Sequence, residues 1–108
     1  MLVLGAAYKK DIKDLRESPA LDVIRLLQEE GAKVQYNDPY APTIKWDGTD
    51  LHSAKLTPAL LKKADLVVIV TNHSDYNYQW IVDNARLIFD TRNATKTVRT
   101  GRDKIHLL

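Results

Sequence analysis

Leu66-Val67-Val68-Ile69-Val70 is the stretch on which the fold turns. A run apolar at every position is buried on both faces, which places it as a central strand with helices above and below. Upstream, Thr57-Pro58 supplies an N-cap followed by a proline suited to the first helical turn, opening a short helix through Leu60, Leu61 and Ala64. Downstream, Thr71-Asn72-His73-Ser74-Asp75 turns the chain into a second helix, with Ser74 or Asp75 as its cap and Tyr78, Ile81, Val82 and Ala85 as its inward stripe. Arg86 to Phe89 reads as the next strand and Ile105 to Leu108 as the last, with a polar, basic tail from Lys96 to Lys104 between them.

The amino-terminal half repeats the alternation. Leu2, Val3 and Leu4 form a short buried strand ending on Gly5. Ser18-Pro19 caps a helix whose Ala20, Val23, Ile24 and Leu27 follow the i, i+3, i+4, i+7 spacing, widened by Leu21 and Leu26 and ended by Gly31. Lys33 to Tyr36 gives a second strand, closed by the turn Asn37-Asp38-Pro39. Tyr40 to Ala54 reads as a surface loop with Trp46 over an edge, followed by a short third strand at Ser53 to Leu56. Strand and helix alternate throughout, so the expected fold is α/β: a Rossmann-like, doubly wound parallel sheet in three α/β/α layers. In the common strand order 3-2-1-4-5-6 the first and fourth strands adjoin at the switch point, and ligands bind beyond the carboxyl ends of the strands there.

Composition narrows the function. A chain of 108 residues makes one domain, residues 1–108, with a genuine core. The net charge of +2 is too small to imply nucleic acid or a membrane as partner. The absence of cysteine excludes disulfides, thiolate metal sites and a cysteine nucleophile, and the three histidines show no metal-ligand spacing. No apolar run approaches the roughly 18 residues of a membrane span and no signal-peptide pattern opens the chain, so a cytoplasmic location is expected. Met1 stands so close to the first strand that the chain is expected to be cut from something longer.

The connection from Gly5 to Pro19 stands out. Seven of the nine residues from Lys9 to Glu17 are charged, and at about a dozen residues it exceeds the usual strand-to-helix connection of about 2 to 6. It arrives at the same sheet edge as the Thr71-Asn72-His73 and Asp90-Thr91-Arg92 loops. Tyr8, Lys9 and Arg92 therefore converge, and an aromatic face with cations suits a nucleotide and its phosphates. A G-x-G-x-x-G dinucleotide fingerprint is missing, because Ala7 and Lys10 hold the second and third glycine positions. Asp38, placed like the acid that binds a ribose, is read as a turn residue. His73-Ser74-Asp75 carries the letters of a hydrolase triad, but adjacent residues cannot align nucleophile, base and orienter. Lys96, Arg99, Arg102 and Lys104 are read as a solvated tail rather than a nucleic-acid stripe. Lys9, Arg16 and Arg92, with Asp11, Asp14, Glu17 and Asp90 as available partners, are open to either ion-pair or ligand roles.

Val-Leu-Gly-x-Ala-Tyr-Lys-Lys-Asp-x-x-Asp-x-Arg-Glu-Ser-Pro-Ala, standing at Val3 to Ala20, resembles the opening of the C-terminal, UDP-binding domain of the UDP-glucose/GDP-mannose dehydrogenase family. Asn37-Asp38-Pro39-Tyr40, Ala64-Asp65, Thr71-x-His73-Ser74 and Asp90-Thr91-Arg92-Asn93 match it in order, and the last two forms are most like the branch acting on UDP-N-acetylhexosamines. The resemblance implies part of an NAD-dependent enzyme that oxidises a sugar C6 hydroxyl to a carboxylate. It implies a UDP-sugar substrate, NAD held mainly by an N-terminal domain, and a homo-oligomer in the intact protein. Tyr8 and Lys9 then resemble the pair contacting the UDP-sugar, Arg92 the arginine reaching the same ligand, often across a subunit boundary, and Arg16 the arginine touching NAD. Ala6 stands where a larger apolar residue is common. The family's thioester-forming cysteine, catalytic lysine and NAD glycines lie upstream of this domain, so no catalytic or metal-binding residue is expected here. The alternative from another class is a free-standing nucleotide-binding or regulatory module without a redox role.

Overall fold

The computed structural model describes residues 1–6, 19–46 and 49–108, with residues 19–21, 45–46 and 49–50 described by backbone alone. Five parallel strands form one sheet: β1 (Leu2–Leu4), β2 (Gln35–Asn37), β5 (Val67–Ile69), β6 (Ile88–Asp90) and β7 (Ile105–Leu107), in the order β2-β1-β5-β6-β7. Helix α1 (Pro19–Glu29) connects β1 to β2, α2 (Pro58–Lys63) precedes β5, and α3 (Tyr78–Asn84) joins β5 to β6. β3 (Thr43–Trp46) and β4 (Thr49–His52) make a separate antiparallel hairpin.

Alternation along the strands builds two cores. Leu2, Leu4, Val67, Ile69 and Ile88 face Leu61 of α2 and Ile81, Val82 and Ala85 of α3. Val3, Val68 and Val70 face the other way, onto Ile24 of α1, Tyr36 of β2 and Ile44 of the hairpin. β5 is buried at every position, as its sequence requires, and pairs in parallel with both β1 and β6. The expected meeting of the first strand with the Leu66–Val70 strand is therefore observed.

The local signals act through identifiable bonds. Thr57 Oγ1 accepts from Leu60 N at 3.1 Å and caps α2. Thr57→Ala should cost about 1 kcal/mol, a fall of about 4–8 °C in the thermal midpoint of a domain near this size. Scanning calorimetry measures it. Gly31, at φ 87°, ends α1 in a Schellman turn, with Ala32 N donating to Leu27 O and Gly31 N to Gln28 O.

Five expectations are corrected. The Tyr40–Ala54 loop contains the β3–β4 hairpin, whose opposed Ile44 and Leu51 pack onto the α1-side core. No strand forms at Ser53–Leu56; Ala54 N instead donates singly to Tyr36 O. The second strand runs two residues later than expected at its start, because its register pairs Leu2 with Gln35. α3 is capped by Asn77, whose Oδ1 accepts from Trp80 N at 3.1 Å, rather than by Ser74 or Asp75. In α1, Ile24 is buried while Leu26 is 56% exposed, so the inward stripe is narrower than expected. Ser18 and the side chains of Ala20, Leu21 and Trp46 lie outside the described residues.

Candidate functional site

The carboxyl ends of β1, β5 and β6 lie side by side, and their backbones are tied together. Val70 N and Thr71 N both donate to Leu4 O, at 2.9 and 3.4 Å. Thr91 N and Thr91 Oγ1 donate to Ile69 O at 3.1 and 2.6 Å. Gly5 permits the closest approach: its φ is 89°, and a Cβ there would stand 2.5 Å from Thr71 Cβ and 2.7 Å from Thr71 N.

The turn after β6 is organised by Asp90. Its Oδ1 accepts from Arg92 N and Ala94 N, and its Oδ2 from Thr95 N and Thr95 Oγ1, at 2.7 to 3.1 Å. Burial alone would raise this carboxyl, but the bonds from Thr95, Arg92 and Ala94 more than offset it and hold it below the usual carboxylate range. Asp90 is thus a buried turn-former and not an ion-pair partner for Arg92. The exposed Arg92 donates from Nε to Val70 O at 3.0 Å, which lays its stem across the end of β5. Among the described residues no carboxylate pairs with it. Arg92, Asn93, Ala94, Lys96 and Thr97 line a polar recess of about 260 Å³ together with Asn72, Ser74 and Tyr78 from the β5 side. A larger apolar groove, about 460 Å³ and lined by Val23, Leu27, Val68, Val70 and Phe89, offers few polar groups beyond Thr91 and Arg92.

Beneath the edge lies a polar network that the sequence did not disclose. Asp38 and His73 are both fully buried, with His73 Nε2 2.9 Å from Asp38 Oδ2. The same oxygen accepts from Ala6 N at 2.6 Å, and Oδ1 accepts from Tyr40 N at 2.7 Å. Asp38 does shape the turn after β2, but as a buried hub between three strand ends. Its charge adds to the effect of burial in pushing the Tyr36 hydroxyl up to about 12 and that of Tyr76 higher still. Tyr76 Oη donates to Asn37 O and Asn37 Oδ1, both at 2.8 Å. His73 is committed to Asp38, and Asp75 accepts from Tyr40 Oη at 2.6 Å, so the two take no part in a triad with Ser74.

Tyr8, Lys9 and Arg16 lie outside the described residues. The strand end from which the Tyr8-Lys9 loop departs and the Arg92 turn are brought to one edge. Asn72, expected at this edge with its loop, joins Arg92 there with Ser74, Tyr78 and Lys96, which the sequence suggests as a cap, a core-facing residue and part of a solvated tail. Arg102 and Lys104, assigned to the solvated tail, are instead structural. Arg102 Nη1 donates to Thr95 O and Val98 O, and Lys104 Nζ to Val82 O. No cluster of metal-ligating side chains occurs among the described residues. A dinucleotide cradle does not fit them either, because the open face of Gly5 is filled by Thr71 and no second glycine follows.

A parallel sheet with a polar, cationic recess beyond the carboxyl ends of β5 and β6 defines a Rossmann-like domain without its own dinucleotide cradle. The chain belongs to the UDP-glucose/GDP-mannose dehydrogenase family: the model of that family's UDP-binding domain matches residues 2–97. It is 35% identical over 88 residues to a UDP-N-acetyl-D-mannosamine dehydrogenase of Yersinia pestis, covering 73% of this chain and 21% of that protein. A protein of the same name from Methanococcus maripaludis is 29% identical over 99 residues, covering 84% of this chain and 22% of the relative. A solved UDP-N-acetyl-mannosamine dehydrogenase from S. aureus superposes with a TM-score of 0.75 at 30% identity, over 98% of this chain and 25% of that one. The chain thus spans only about a quarter or less of the proteins it matches.

Proposed function

We propose that this domain binds the UDP portion of a nucleotide sugar at the carboxyl edge of β1, β5 and β6. In our reading it serves an NAD-dependent dehydrogenase that oxidises the C6 hydroxyl of a UDP-N-acetylhexosamine to a carboxylate. The observation that carries the reading is the Arg92 turn, whose guanidinium stem is held across β5 beside the Asn72, Ser74 and Lys96 recess. A diphosphate needs cations and hydrogen-bond donors fixed in advance, and Arg presents a planar fork for it. In this reading Tyr8 and Lys9 contact the same ligand and Arg16 contacts NAD. The glycine cradle for NAD and the thioester cysteine belong to other parts of the enzyme, since this chain has neither. Assembly of the intact enzyme as a homo-oligomer and a cytoplasmic location go with this reading; among the described residues no helix is long and apolar enough to cross a membrane.

Arg92→Ala should weaken UDP-sugar binding. Losing one charged hydrogen-bonding partner costs about 1.5–3 kcal/mol, roughly 10- to 150-fold in affinity. Titration calorimetry measures it, and an unchanged affinity removes Arg92 from the site. Arg16→Ala should raise the KM for NAD more than that for the sugar nucleotide in steady-state assays. Equal effects on both would mark Arg16 as a structural ion-pair residue. A free-standing binding module would instead bind UDP with no NAD-linked turnover.

A further inference from the structure

We propose that Asp38 and His73 are positioning residues for the nucleotide, forming a buried lock that fixes both halves of the binding edge; this rests on the UDP-binding reading above. Burying an ionisable pair with no exposed side-chain surface is costly in desolvation, a cost returned only where its bonds are well made. Here those bonds go to backbone at the functional edge. Asp38 Oδ2 receives Ala6 N at 2.6 Å, and Ala6 is the last residue before Ala7-Tyr8-Lys9. The same oxygen receives His73 Nε2 at 2.9 Å, and His73 immediately precedes Ser74 of the Arg92 recess. The backbone carbonyl of His73 then accepts from Tyr78 Oη at 2.7 Å, and Tyr78 lines that recess as well.

One carboxylate oxygen therefore fixes Ala6, after which the sequence continues to Tyr8 and Lys9, relative to the wall that carries Ser74, Tyr78 and Arg92. Asp38, directly after β2, is anchored in turn: its own N donates to Ser53 Oγ, just past β4, at 3.0 Å, and its Oδ1 accepts from Tyr40 N. The imidazole is held between rings, with Tyr40 at 4.9 Å and Tyr76 at 6.0 Å between centroids, so it has little freedom to turn away from Asp38. Displacements of about 1 Å in such a support are enough to lower productive binding severely.

The test is UDP titrated into the protein, with circular dichroism establishing that each variant is folded at the assay temperature. His73→Leu fills the space without the bond and should weaken UDP at least fivefold. His73→Gln, whose Nε2 retains a donor at similar reach, should recover to within threefold of wild type. A merely structural role would lower the melting temperature of both variants and leave the UDP affinity of the folded protein unchanged. Should His73→Leu not fold, His73→Met, an adaptable side chain of similar length, is read by the same fivefold criterion. Weakening below fivefold, or a Gln variant outside threefold, overturns the lock while wild-type binding stands. A wild-type protein that does not bind UDP overturns the reading of the site, and the lock with it.

Discussion

Asp90→Ala should lower the unfolding free energy by at least about 3 kcal/mol, on the basis of about 1.5–3 kcal/mol for each hydrogen bond to a charged group, discounted for non-additivity. The side chain accepts four such bonds from residues two to five positions ahead of it, and Thr95, which makes two of them, is fully buried. Alanine leaves those donors facing a void instead of water. Against a typical total of about 5–15 kcal/mol the loss is severe, and it falls on the turn that carries Arg92, Asn93 and Lys96. Urea unfolding followed by circular dichroism measures it; a loss under about 1 kcal/mol would contradict the account of this turn. Acid exposes the same bonds. Because the folded-state pKa lies below the unfolded value of about 3.9, the stabilisation is complete above that value and disappears as pH falls through the folded one. Unfolding free energy should therefore decline below about pH 4, more steeply in wild type than in Asp90→Asn.

Gly5→Ala should be of comparable severity for a different reason. Its backbone is left-handed, which costs a residue with a Cβ about 1–3 kcal/mol. The new methyl would also stand 2.5 Å from Thr71 Cβ, 2.7 Å from Thr71 N and 2.8 Å from Thr71 O, two of which are backbone and cannot rotate away. Overpacking of this kind adds about 1–3 kcal/mol, for a total near 3 kcal/mol or more. Gly31 is the internal control, since its φ of 87° is nearly the same but nothing lies within 4 Å of its missing Cβ. Gly31→Ala should carry the backbone cost alone. Equal losses from both substitutions, measured by denaturant unfolding, would mean that the approach of β1 to Thr71 is not as close as described.

The parts of the fold that were legible depend on one-dimensional signals. Leu66–Val70 had to be central because it is apolar on both faces, and Thr57 and Gly31 mark helix ends by chemistry confined to a few neighbouring residues. The hairpin escaped because Ile44 and Leu51, which among the described side chains carry its packing onto the core, stand singly beside polar residues in the sequence. Asp47-Gly48, the dipeptide between its strands, was the signal that could have found it. The cap of α3 was misplaced because Ser74, Asp75 and Asn77 all have capping chemistry, and only the structure selects Asn77. The position of Arg92 at the carboxyl edge of the sheet was legible from its place after a strand. Asp38 and His73 were not, because they stand 35 residues apart and each alone reads as a turn or loop residue. Lys96 was assigned to a solvated tail because a basic residue in sequence does not reveal the recess it borders.

The central claim is that UDP binds at the joint carboxyl edge of β1, β5 and β6. It is tested most directly by titrating UDP into the isotopically labelled protein and following backbone amide shifts by NMR, which registers even weak binding. The account predicts saturable shifts concentrated in residues 5–16, 71–78 and 91–97, greatly reduced in Arg92→Ala. No shifts at millimolar UDP, or shifts concentrated at the opposite, amino edge around Met1, Val34 and Asp65, would contradict it.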